Sequence, residues 1–184
     1  MPERKVAVVV GSLRKGSYNR KMALAMEKLA PPGLKLEIVE IRDLPLYDED
    51  LEAAPPQPWL DFREQIRTRD AVIFVTPEYN RSVPGGLKNA IDVGSRPYGH
   101  SVWSKKPVAV VSVSPGGIGG FGANHHLRQS LVFLDMPVLQ QPEAYIGGAA
   151  TLFAEDGSIA NEGTRKFITG LLAAFAAMIE KVLA

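Results

Sequence analysis

The sequence contains no cysteine. That absence excludes disulfides, thiol nucleophiles and cysteine-ligated zinc or iron–sulfur centres, so redox chemistry here would fall to a bound cofactor. Charge of one sign is also missing: 21 Lys plus Arg stand against 20 Asp plus Glu, for a net charge of +1. The basic residues are scattered rather than striped, and neither nucleic acid nor a membrane is an expected partner. No apolar run reaches the roughly 18 residues a membrane span needs, and no signal-peptide pattern precedes the first apolar stretch. The cytoplasm is therefore the expected location. Internal repeats and low-complexity segments are likewise absent.

What is present is a globular composition, 46% hydrophobic and 22% charged over 184 residues. That length suits one domain with a well-buried core, spanning 1–184. Residues 6–10, 71–75 and 108–113 are continuous apolar, β-branched runs. Such runs predict strands covered on both faces, as in a parallel sheet. Residues 36–41 partly alternate, and 138–146 contains Pro142, so both read as edge strands. Helical patterns fall between them, near 18–30, 59–68, 84–95, 120–134 and 163–183. Alternating strands and helices imply an α/β, doubly wound, five-stranded parallel sheet in three layers, with the flavodoxin-like order 2-1-3-4-5. Residues 42–58, with four prolines and an acidic cluster, read as a surface excursion.

In open sheets of this kind ligands bind beyond the carboxyl ends of the strands, where the connections reverse. Three loops converge there. The first, Gly11 to Asn19, presents a helix N-terminus together with Ser12, Arg14, Ser17 and Asn19, groups suited to a phosphate. A plain helix cap on Ser17 or Asn19 is the alternative. The spacing Gly11-x-x-x-x-Gly16 approaches a Walker A loop, but Ser17 stands where lysine is required, which argues against an NTPase. The second loop, Pro77 to Gly86, places Pro77, Glu78, Tyr79 and Asn80 in the same crevice, where backbone groups and an aromatic face suit a planar ligand. The third, Ser114 to Gly122, formally matches a dinucleotide fingerprint at Gly117, Gly119 and Gly122. Only residues 123–184 follow it, too few for a mononucleotide-binding half that begins there. These glycines are better used to bring backbone N–H groups close to a flat ring. His125 and His126 are adjacent on a helix, do not share a face, and read as surface or interface residues rather than metal ligands.

The residues Gly-Ser-Leu-Arg-Lys-Gly-Ser-Tyr-Asn at 11–19, Thr-Pro-Glu-Tyr-Asn at 76–80, Ser-Val-Pro-Gly-Gly-Leu-Lys-Asn at 82–89 and the Gly-rich run at 114–122 resemble the NADPH-dependent FMN reductase family, nearest to its chromate and quinone reductases. The resemblance implies that Ser12, Arg14, Ser17 and Asn19 hold the FMN phosphate, with Tyr18 in the same stretch. Pro77, Glu78, Tyr79 and Asn80 would hold the isoalloxazine, and Ser114, Gly116 and Gly117 would border it. It further implies ping-pong electron transfer, from NADPH or NADH to the flavin and then to a small-molecule acceptor such as a quinone or chromate. The flavin would carry the chemistry, with no catalytic side chain and no metal. A flavodoxin-type electron carrier is the alternative, although the near-neutral charge does not favour it.

Two further expectations concern assembly. Arg96, beyond the helix launched by the second loop, is a candidate contact for anionic or quinone acceptors at a neighbouring subunit's flavin. Leu87, Ile91, Val93, Leu127, Leu131, Val132, Phe133 and Leu134 spread over more than one helix face, which predicts a homo-oligomer, a dimer or tetramer.

Overall fold

The structure, a computed structural model, describes residues 3–184. Five strands, β1 (Arg4–Val10), β2 (Leu34–Val39), β3 (Ala71–Thr76), β4 (Val108–Val113) and β5 (Ala144–Ile146), pair in parallel in the order β2-β1-β3-β4-β5. This is the flavodoxin-like order the strand patterns predict. Five helices cover the sheet: α1 (Tyr18–Leu29), α2 (Gln57–Arg67), α3 (Gly85–Gly94), α4 (Phe121–Phe133) and α5 (Glu162–Leu183).

The apolar runs of the central strands are continuous because both faces are buried. Val6, Val8 and Val10, with Ile73, Val75 and Val111, point into one core against Met22 and Met26 of α1 and Leu172 and Phe175 of α5. Ala7, Val9, Phe74 and Val110 point the other way, against Trp59 and Phe62 of α2, Leu87 of α3 and Leu127 of α4. Burying each large side chain contributes about 1.5–3 kcal/mol, so the two layers hold the sheet rigid and leave its upper rim to the loops.

Three details differ from expectation. The edge strand is only three residues long; its upstream part makes one isolated bridge, Val108 with Val138. The excursion at 42–58 holds a short 3-10 helix, Glu49–Ala53, and is anchored. Asn89 of α3 accepts from Tyr47 N at 2.8 Å and donates to the carbonyls of Leu44 and Pro45, while Tyr47 stacks on Trp59. The third is a correction to the spare apolar face: Leu87, Ile91, Val93, Leu127, Leu131 and Leu134 are all buried within the chain, in the core layer that also holds Trp59, Phe62 and Trp103. Only Val132 and Phe133 stay out, 74% and 84% exposed.

Candidate functional site

The first loop leaves β1 through Gly11, whose N–H donates to Val75 O at 2.9 Å. A Cβ there would lie 3.0 Å from Leu87 Cδ2 and 3.3 Å from both Pro77 and Thr76, so glycine lets this loop pass beneath the second. The Arg42 guanidinium donates to Leu13 O and pins the outer bend. Arg14 donates to Gly16 O at 2.8 Å and lies 5.0 Å above the Tyr18 ring, which lays its fork along the loop. Ser17, 2% exposed, is the N-cap of α1, and its Oγ accepts from Arg20 N at 3.1 Å. Accepting that bond leaves the hydroxyl proton free to donate. Among the described residues, the amides from Ser12 to Asn19 find no backbone or side-chain acceptor.

The second loop folds back on itself. Tyr79 and Ser82 exchange both backbone hydrogen bonds at 3.0 Å, with Asn80 and Arg81 at positive φ (51° and 63°) between them. That is a tight two-residue turn of the type asparagine tolerates well. Tyr79 is 51% exposed, an open aromatic face at the rim. Glu78 turns away: its Oε2 accepts from Ala123 N at 3.0 Å, in the first turn of α4. This helix has Gly120 at its N-cap and no acid in its first turn, so the cap it lacks comes from the second loop.

The third loop is held from its outer side. Ser114 donates its N–H to Ile146 O at 2.9 Å and accepts from Ala149 N at 3.2 Å, while its Oγ accepts from Gly116 N at 3.2 Å. Gly119, at φ 66°, lies so close to Tyr145 that a Cβ would fall 2.5 Å from its carbonyl carbon. Gly117 has nothing within 4 Å of its missing Cβ. Burial and neighbouring Glu143 push the Tyr145 phenol up to about 12, so it stays protonated, bonded to His125 Nε2 at 2.9 Å.

The structure thus brings the three loops together. Asn19 crosses from α1 to the end of β4, where its Nδ2 donates to Val113 O at 3.2 Å. This turns an expected phosphate ligand inward: the residue is 3% exposed, and its Oδ1 is buried without a donor. Arg96 is not brought in. It follows α3, whose ten residues place it about 15 Å along the helix from the second loop. There it shares a groove of ≈ 410 Å³ between α3 and α4 with Tyr47, His126 and Phe133. The first loop borders a smaller basic hollow of ≈ 320 Å³, with Arg14, Lys15 and Arg42, and Arg20 paired to Glu40 at 2.6 Å. Size alone would choose the groove; the unbonded amides choose the loops. His125 and His126 turn to different partners, Tyr145 and Ser82, and no metal-binding group occurs among the described residues.

A family model described as NADPH-dependent FMN reductase matches residues 4–151. The chain belongs to that family. It is 68% identical over 176 residues to a quinone reductase of Pseudomonas putida, covering 95% of this chain and 94% of the relative. It is 43% identical to a 2-hydroxy-1,4-benzoquinone reductase of a Burkholderia species, over 95% of this chain and 96% of the relative. Among solved structures, the flavoenzyme NAD(P)H:(acceptor) oxidoreductase FerB of Paracoccus denitrificans superposes with a TM-score of 0.92 at 46% identity, covering 97% of this chain and 98% of that one. As an FMN reductase family member the chain is an oxidoreductase that works with FMN and a reduced nicotinamide donor.

The residues present fit FMN. The free amides at the start of α1, with the Ser17 proton and the Arg14 fork, match a phosphate dianion. The buried Asn19 Oδ1 is an acceptor that a ribityl hydroxyl would satisfy. At exposed Gly117 a Cβ would meet nothing within 4 Å, so the third loop leaves open space there that a ring could use. The sequence did not reveal that Glu78 and Asn19 are struts between loops, because each role depends on a partner more than 40 residues away.

Proposed function

We propose that the protein is a quinone reductase. The observation that carries the reading is the run of amides from Ser12 to Asn19 at the start of α1, which find no acceptor among the described residues, on the rim where the second and third loops also end. The names of the relatives supply the acceptor class, since the 68% identical Pseudomonas protein is a quinone reductase. Chromate and other small oxidants are acceptors of the same kind.

When bound, FMN supplies the hydride acceptance and two-electron delivery that no side chain here can perform. The chain's part is binding and electrostatics. Ser12, the Ser17 hydroxyl, Arg14 and the α1 amides hold the phosphate, with Tyr18 backing Arg14. Pro77, Tyr79 and Asn80 form one side of the ring cleft, while Ser114, Gly116 and Gly117 form the other. Backbone N–H groups of those two loops that are not already bonded would stabilise negative charge on a reduced ring. The exposed face of Tyr79 would be available to stack beside the ring.

The same reading includes assembly. Arg96 lies a helix length from its own loops, so it can reach an acceptor only at a second copy's flavin. Exposed Val132 and Phe133 beside the α3–α4 groove are the apolar surface such a copy would cover. Replacing Arg96 by Ala should weaken use of anionic acceptors and leave FMN affinity intact.

The test is reconstitution of the apoprotein with FMN, then anaerobic addition of NADPH and of NADH, then benzoquinone. The expected result is a yellow protein, bleached by the donor and reoxidised by one equivalent of quinone. A protein that takes up no FMN would defeat the reading. One that cycles single electrons without accepting hydride would favour a flavodoxin-type carrier.

A further inference from the structure

Glu78 lies in the loop that forms one side of the cleft, yet its carboxylate is committed to the opposite side. Oε2 accepts from Ala123 N at 3.0 Å, and Oε1 faces Arg81 Nη1 at 3.4 Å. Three features of α4 accommodate this bond. The N-cap is Gly120, at φ 75°, which supplies no side-chain acceptor. The first turn carries no acid, so its free N–H groups and its positive end are unmatched from within the helix. Position 122 is glycine, where a Cβ would fall 2.9 Å from Glu78 Oε2 and 3.0 Å from Arg81 O. Sequence and structure therefore keep this approach open at one acceptor, one donor and one missing side chain.

The contact is one of two that tie the second loop to the start of α4, the other being Ser82 Oγ at 2.7 Å from His126 Nδ1. The second loop is closed by its own Tyr79–Ser82 pair and the third is tied to Ile146 and Ala149. Of the ties to α4, the Glu78–Ala123 bond and the close pass of Gly122 beneath Arg81 O act at its first turn, where the third loop ends, and the Ser82–His126 contact acts one turn further along. We propose that Glu78 is a positioning residue, which caps α4 from across the cleft and so sets the distance between the two sides that take the flavin ring. The inference rests on the placement of the ring between those loops argued above. It reassigns a residue that the sequence offers as a direct flavin contact. A carboxylate held there also offsets the positive end of α4 next to the ring, which makes reduction of bound flavin harder.

Three variants test it, Glu78→Ala, Glu78→Gln and Gly122→Ala, each measured for FMN and riboflavin affinity, apoprotein melting temperature and the midpoint potential of bound flavin. Glu78→Ala should weaken FMN and riboflavin together by roughly tenfold, the size of a lost helix cap expressed as affinity. Gly122→Ala keeps the carboxylate but forces it off the helix, and should reproduce that loss. Glu78→Gln retains an acceptor oxygen and should restore affinity, while the potential rises because the negative charge is gone. A role confined to folding would lower the melting temperature in all three and leave the potential of Glu78→Gln at the parental value. Parental flavin affinity in Glu78→Ala, or an unrestored affinity in Glu78→Gln, would overturn the proposal. Failure of the parent itself to bind FMN would instead overturn the placement of the ring.

Discussion

The loop after β1 and the two loops after β3 and β4 lie side by side on one rim, yet they use their polar groups differently. In the first loop the backbone amides from Ser12 to Asn19 find no acceptor among the described residues, and the helix behind them adds its dipole. In the other two, three polar side chains already have partners in the third loop or α4. Glu78 caps α4, Ser82 Oγ lies 2.7 Å from His126 Nδ1, and Ser114 Oγ accepts from Gly116 N. On the proposed reading, the first region would take an anion and the other two loops would form a braced slot for the ring. The difference matches the two ends of FMN, a dianion and a flat, weakly polar ring.

If the slot is braced and open, filling it should do the most damage. Gly117→Val adds a side chain where nothing lies within 4 Å. Binding of FMN should weaken by roughly tenfold to hundredfold, the cost of overpacking a fitted site. The apoprotein melting temperature should not move, and thermal melts beside titrations would show the split. Equal FMN affinity in this variant would place the ring elsewhere.

The first loop should behave otherwise. Ser17→Ala removes both a cap and a donor to the phosphate, and charge-assisted bonds contribute roughly 1.5–3 kcal/mol each. FMN affinity should fall roughly ten- to hundredfold, and the apoprotein melting temperature by about 2–4 °C from the lost cap. Riboflavin, which lacks the phosphate, should be nearly unaffected. Asn19→Ala separates the residue's inward strut from the role first expected of it. Losing the bond to Val113 O should destabilise the fold by about 1–2 kcal/mol. Both flavins should then weaken together and by less than in Ser17→Ala. A selective loss of FMN in Asn19→Ala would restore the phosphate role.

A contact far from both regions sets the scale of an effect that should touch neither. Glu180 is held below the ordinary carboxylate value of 4.5, first by its hydrogen bond to Arg4, at 2.6 Å. A carboxylate with a lowered folded value contributes stability above its unfolded value, and that contribution disappears as the pH falls through the folded one. Melting curves of the parent and Glu180→Gln should therefore differ slightly above about pH 4.5 and converge below it. Flavin affinity should be the same in both.

How much of this was legible in the sequence follows from the range of each interaction. Val6 to Val10 and Val108 to Val113 announce buried parallel strands by composition alone, because burial on both faces leaves no alternation. The polar richness of Ser12 to Asn19 is local too, and so the phosphate loop could be read. The bracing could not. Glu78 needs Ala123, Asn19 needs Val113 and Asn89 needs Tyr47, pairs joined only after the chain has folded. The apolar residues of α3 and α4 misled for the same reason. Leu87, Ile91 and Leu131 look surplus until the fold gathers them into one core layer with Trp59, Phe62 and Trp103.

The central claim is that the phosphate and the ring are recognised by separate, differently built regions. Calorimetric titration of the apoprotein with FMN and with riboflavin, in the parent and in Ser17→Ala, tests it most directly. The account predicts that the parent prefers FMN by roughly a hundredfold or more, and that Ser17→Ala narrows the gap by lowering FMN affinity alone. Equal affinities for the two flavins in the parent, or equal losses in the variant, would contradict it.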